Sequence, residues 1–111
     1  IGFVGLLQAD FEAHFTPAIE IGWRLAYKHW NKGYATEAAK AVLDYAFKNL
    51  KLTEIVSFTA KINQRSIRIM QKIGMHADEN DNFCYPTIDR RSELAWHVLY
   101  RITADDYLLH N

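Results

Sequence analysis

Residues 29–47, HWNKGYATEAAKAVLDYAF, place a glycine among small and polar residues directly before a long apolar-periodic run. Ala35, Ala38, Ala39, Val42, Leu43, Ala46, Phe47 and Leu50 recur at helical spacing, with Glu37, Lys40, Asp44 and Lys48 on the other side. That pattern predicts a helix from about Tyr34 to Leu50. A helix start leaves about four backbone N–H groups without internal partners, and the helix dipole adds partial positive charge there. A glycine just ahead of it lets a ligand approach the backbone closely. Lys28, His29 and Lys32 add local positive charge. Two readings of Gly33 are open: a plain turn before a helix, or a loop that holds an anion. The phosphate fingerprints G-x-x-x-x-G-K-[ST] and G-x-G-x-x-G are both absent.

Working outward, residues 2–8 alternate as a strand, with Phe3, Gly5 and Leu7 opposite Val4, Leu6 and Gln8. A connection containing Pro17 follows. Residues 20–26 alternate again, Ile21, Trp23 and Leu25 against Glu20, Gly22 and Arg24, which predicts an antiparallel pair with the first strand. EIVSFTA, 54–60, is β-branched and aromatic, and a strand–helix–strand unit of this length predicts a crossover between neighbouring strands. A second helix is expected from about Gln64 to Ile73, with Asn63 as N-cap and Gly74 ending it in a left-handed conformation. Ile67, Met70 and Ile73 form its buried stripe. Residues 76–91 are polar and irregular, residues 93–102 return to strand character, and TADDYL adds a short terminal turn. The sum is an α/β domain with a mixed sheet.

The 111 residues are half hydrophobic and 23% charged, which suits one globular domain with a core. Thirteen basic and thirteen acidic residues cancel. No global field attracts nucleic acid or an anionic membrane, so any anion site is local. No apolar run reaches the roughly 18 residues of a membrane span. The single cysteine, Cys84, has no internal disulfide partner, which fits a reducing cytoplasm. The five histidines, 14, 29, 76, 97 and 110, show no metal-ligand spacing, so no metal is expected. Cys84 has no Cys–His pattern around it and reads as an ordinary thiol. Trp23, Trp30 and Trp96 read as core or pocket wall. The chain begins at Ile1 inside the alternation IGFVGLL, which predicts a strand already under way and a piece of a longer protein.

EIGWRL (20–25), WNKGYA (30–35) and NQRS (63–66), in this order around a strand, resemble the GNAT superfamily of N-acetyltransferases. The likeness is closest to the branch containing the ribosomal-protein N-terminal acetyltransferases. WNKGYA is similar to the family's Q/R-x-x-G-x-G/A pyrophosphate loop, with Trp30 in place of the first Gln or Arg. NFCYPTIDRRSELAWHVLYRI, 82–102, resembles a subgroup with a proline-containing loop before its H-V-L-Y-R strand. The resemblance implies a GNAT-like, mostly antiparallel mixed sheet with flanking helices. It also implies that residues 1–111 are the C-terminal, coenzyme-binding part of a single acetyltransferase domain, with the N-terminal part of the fold missing.

The implied coenzyme is acetyl-CoA. The resemblance implies that backbone amides of Lys32, Gly33, Tyr34, Ala35 and Thr36 hold its pyrophosphate. It implies that Trp23, Arg24 and Leu25 pair with the pantetheine arm as an extra strand edge. Trp30 belongs to the same loop, Asn63 meets the pantetheine, and Arg68 or Lys72 meets adenosine phosphates. The implied reaction is direct acetyl transfer to a primary amine, a protein N-terminus or a small amine, in a ternary complex. The amine must lose a proton and the leaving thiolate must gain one. Glu20 is the candidate base and Ser66 the candidate acid, with Tyr85 and Tyr100 as alternative acids. Each has a plain structural alternative: a rim carboxylate for Glu20, a helix-start hydrogen bond for Ser66. A rival from another class is a non-catalytic acyl-CoA-binding or interaction module of the same fold. A sheet edge left uncovered invites association, so a homo-oligomer is an expected state.

Overall fold

The structure, a computed structural model, describes residues 2–25 and 33–110. Its elements in chain order are β1 (Gly2–Ala9), β2 (Ala18–Leu25), α1 (Tyr34–Lys48), β3 (Glu54–Ala60), α2 (Gln64–Lys72), β4 (His76–Ala77), a 3₁₀ turn (Glu79–Asp81), β5 (Phe83–Cys84), β6 (Trp96–Thr103) and α3 (Ala104–His110). The sheet runs β1-β2-β3-β6-β4, with β5 also on β6. Every pairing is antiparallel except β2 with β3, the crossover spanned by α1. This is the mixed, mostly antiparallel α/β sheet that the sequence predicts.

Alternation decides which face of the sheet each strand residue covers. Ile21, Ile55, Tyr100 and Ile102 face the helices and pack with Ala39, Leu43, Ala46 and Phe47 of α1 and Ile67 and Met70 of α2. Ile21, Leu43 and Ile55 are wholly buried, and burying side chains of this size contributes roughly 1.5–3 kcal/mol each. The opposite face carries Val56, Phe83 and Leu99, with Phe11, Phe15, Phe58 and Tyr85 packed on them. The rings of Phe11, Phe58, Phe83, Tyr85 and His97 lie 5.0–6.4 Å apart, centroid to centroid, where reported pairs meet.

Five local expectations differ from the structure. Helix α1 ends at Lys48, because the Asn49 amide closes it on the Tyr45 carbonyl and Lys51 turns at φ 56°. Leu50 is therefore off the helix and exposed. Ala38 is also exposed: at 3.6 residues per turn it lies about 110° round the helix from the centre of the Ala39–Leu43–Ala46 stripe. The segment 76–91 is less irregular than its composition, since β4 and β5 borrow order from β6. Residues 93–95 precede β6 rather than belong to it, and the expected terminal turn is the helix α3, anchored by buried Tyr107, whose hydroxyl donates to Asp44 at 2.6 Å.

Candidate functional site

The site begins where β2 and β3 part. Glu20 stands beside Val56 in the parallel register, and among the described residues the pairing is confined to that position. One residue on, the buried Ser57 hydroxyl donates to the Ile21 carbonyl at 2.8 Å, a side-chain bond next to the last ladder pair. Beyond it, Gly22, Trp23, Arg24 and Leu25 pair, among the described residues, with β1 on one side only. Their other edge is open to form backbone hydrogen bonds.

A cleft of about 660 Å³ lies at this opening. Trp23 and Arg24 form one wall. Gly33, Tyr34, Ala35 and Thr36, the start of α1, form the second. Asn63, Ser66, Arg68, Ile69 and Lys72 of the α2 side form the third, with Ile62, Gln64 and Arg65. Gly33 caps α1 in the left-handed region, φ 77°, and makes no side-chain cap bond. A side chain there would be strained, although no heavy atom lies within 4 Å of a built Cβ. The plain-turn reading explains the φ value. It does not explain the surroundings: the lining contains the cations Arg24, Arg65, Arg68 and Lys72 and no carboxylate, in a chain of zero formal charge.

Helix α2 offers a second organised start. The Asn63 side-chain oxygen accepts from the Ser66 amide at 3.3 Å, the N-cap expected from sequence. Its side-chain NH₂ remains a possible donor. Ser66 does more than cap a helix, because its hydroxyl oxygen also accepts from the Trp23 indole Nε1 at 3.3 Å, across the floor of the cleft.

Glu20 does not line this cleft. It sits on β2 with its side chain on the sheet face opposite Ile21, the face of Val56. It is half-buried, and burial pushes its carboxyl up from 4.5 to about 7. Trp30 and Lys32 lie outside the described residues, as do Lys28 and His29. Leu25 ends β2, opposite Gly2. Tyr100 is a core residue whose hydroxyl accepts from Gln71 at 3.2 Å. Tyr85 belongs to the aromatic cluster on the far face. His97 packs there too, with Nδ1 3.1 Å from the Ala95 carbonyl oxygen, and burial holds its pKa below the usual value. Trp96 is half-exposed at the sheet end rather than core or pocket wall. Among the described residues no three His, Cys, Asp or Glu side chains group as a metal site would require, and no helix is long and apolar enough to cross a membrane. Sequence reasoning missed Ser57, Ile62, Gln64, Arg65 and Ile69; only the three-dimensional convergence of β2, β3 and α2 exposes their roles.

The chain is similar to known proteins in sequence and fold. The family model described as Acetyltransferase (GNAT) domain matches residues 1–76. An uncharacterized Bacillus subtilis protein, YkkB, is 45% identical over 76 residues, 68% of this chain and 43% of its own length. The FsC-acetyl coenzyme A-N(2)-transacetylase of Aspergillus fumigatus is 34% identical over 93 residues, 84% of this chain and 39% of its own. A GNAT-family acetyltransferase crystal structure from Bacillus anthracis superposes with a TM-score of 0.73 at 33% identity, covering 95% of this chain and 59% of that one. The chain thus spans about two fifths of the length of these two curated relatives, 43% and 39%.

Proposed function

Because this chain belongs to the GNAT acetyltransferase family, we propose that residues 1–111 are the coenzyme-binding part of a single acetyltransferase domain, and that the protein transfers acetyl from acetyl-CoA to a primary amine by direct transfer in a ternary complex. The observation that carries this reading is the cleft. A left-handed glycine, a helix start with no side-chain cap and four cations line it beside a strand edge, with no carboxylate among the described lining residues. That suits a ligand with several phosphates and an amide-bearing arm.

In this reading the backbone amides of Gly33 to Thr36, with Lys32, hold the pyrophosphate, and Trp30 belongs to the same loop. The open edge of Trp23, Arg24 and Leu25 pairs with the pantetheine amides. Asn63 donates to the same arm, and Arg68 and Lys72 meet the adenosine phosphates. Bound acetyl-CoA supplies an activated thioester. Glu20, at the point where the strands part, takes a proton from the ammonium form of the acceptor. A carboxyl near 7 is matched to that task at neutral pH. An N–H at the open end of β2 stabilises the developing oxyanion. Ser66 delivers a proton to the leaving sulfur and regains the one that the attacking nitrogen sheds as the amide forms.

The acceptor is a primary amine. Likeness to the ribosomal-protein branch supports a protein N-terminus; the N(2)-transacetylase among the relatives supports a small amine. Cytoplasmic residence and homo-oligomer formation complete the proposal. The non-catalytic module draws on one observation, that Glu20 stands outside the cleft lining. Calorimetric titration of acetyl-CoA into the full-length protein tests the main reading, with ATP and Gly33→Glu as controls. Binding that ATP does not reproduce and that Gly33→Glu abolishes is expected. No binding by a folded protein overturns it. Binding without turnover on peptide and small-amine acceptors favours the module.

A further inference from the structure

We propose that Trp23 is a positioning residue: its indole N–H fixes the Ser66 hydroxyl so that the hydroxyl hydrogen points into the cleft. The inference rests on the coenzyme reading above and deepens it. Trp23 lies on β2 and Ser66 in the first turn of α2, 43 residues apart, and Nε1 reaches Oγ at 3.3 Å. An indole N–H can only donate. The serine oxygen must therefore accept, which commits one of its lone pairs and turns its own O–H elsewhere.

Other demands on Ser66 are already met. Its backbone N–H is taken by the Asn63 side chain at 3.3 Å. A serine in a helix commonly donates to a carbonyl one turn back, yet among the described residues the Ser66 hydroxyl has no such acceptor. Ser66 lines the cleft, so that hydrogen is left for an occupant. Trp23 is suited to hold it still. Its ring is half-buried and packs against the main core beside Ile21, so packing fixes the direction of the N–H. The N–H thereby orients a donor that touches the occupant, without touching the occupant's reacting atoms itself.

A double-mutant cycle on the full-length protein tests this, with kcat at saturating substrates and acetyl-CoA affinity by calorimetry as the two readouts. Trp23→Phe keeps the ring and removes the N–H. It is expected to lower kcat about tenfold and to weaken acetyl-CoA binding by a smaller factor. Ser66→Ala is expected to lower kcat at least as much, and Trp23→Phe added to Ser66→Ala to cost nothing more, since the indole then has nothing to orient. Ser66→Thr, which leaves Trp23 untouched and keeps a hydroxyl, is expected to lose less kcat than Ser66→Ala. Equal, multiplicative losses in both backgrounds would show that Trp23 acts independently of Ser66 and would overturn the inference alone. So would a Ser66→Thr loss as large as that of Ser66→Ala. Failure of the folded wild type to bind acetyl-CoA would overturn the coenzyme reading, and this inference with it.

Discussion

Glu20 is the last residue of β2 to pair with β3, opposite Val56, and it is also the residue whose carboxyl burial pushes up to about 7. The side chain is half-buried on its sheet face, and an ionised carboxylate there is poorly solvated. Desolvation by burial is the cause of the shift.

Glu20→Gln separates a catalytic from a structural role by pH. With Glu20 as base, kcat/KM rises with pH through a limb near 7, and Glu20→Gln flattens the limb and lowers the plateau at least tenfold. The stability effect has the opposite trend. The folded carboxyl holds its proton more tightly than the unfolded one, so wild type loses stability as pH rises from about 4.5 to about 7. Glu20→Gln is therefore expected to be more stable than wild type at pH 8, by about 1 kcal/mol after allowance for solvent screening, with the gain gone below pH 4.5. Urea midpoints at the two pH values check it.

Gly33→Val tests the helix start. At φ 77° the substitution strains the backbone, by about 1 kcal/mol, and among the described residues no heavy atom lies within 4 Å of a Cβ there, so the protein is expected to fold. Acetyl-CoA affinity is expected to fall at least tenfold, because the strained turn misdirects the amides of Tyr34 to Thr36. Calorimetry against wild type reads it.

Gly74 ends α2 at φ 92°, and a Cβ there would stand 3.7 Å from Ile102 Cδ1, in ordinary contact. The backbone conformation, not crowding, sets the cost. Gly74→Ala is expected to destabilise by about 1 kcal/mol, seen as a lower urea midpoint at unchanged slope.

Arg101 on β6 holds Asp81 at 3.1 Å and Glu54 at 3.3 Å, and Asp81 also meets His14 at 3.1 Å. The guanidinium hydrogen bond is the main reason the Asp81 pKa is lowered. A lowered carboxyl contributes stability above its unfolded value and loses it as pH falls through the folded one. Arg101→Met is expected to cost about 1–2 kcal/mol at pH 7 and to shrink the acid-side loss of stability below about pH 4. Melting curves from pH 2 to 7 measure both.

Much of the fold was legible because local chemistry and tertiary packing agree. In the structure Asn63 caps α2 through its side chain and Gly74, without a Cβ, terminates it at positive φ, and Ile67, Met70 and Ile73 are buried as their spacing requires. Ala38 and Leu50 misled because apolar character does not by itself set orientation: one lies outside the buried arc, the other beyond the helix end. The short strands β4 and β5 were illegible because a two-residue segment becomes a strand only when β6 presents its edge.

The candidate site divides in the same way. The motifs around Gly33 and Asn63 were visible in the sequence because a helix start is built from neighbouring residues. So was the placement of Trp23, Arg24 and Glu20 on one alternating strand. Only the tertiary structure decided that Trp23 bonds Ser66, that four cations share a cleft free of carboxylates, that β2 leaves β3 at Glu20 and that burial raises its carboxyl. Those facts depend on contacts between residues far apart in the chain, and on the exclusion of water by their packing. Neither is encoded in the spacing of any one segment.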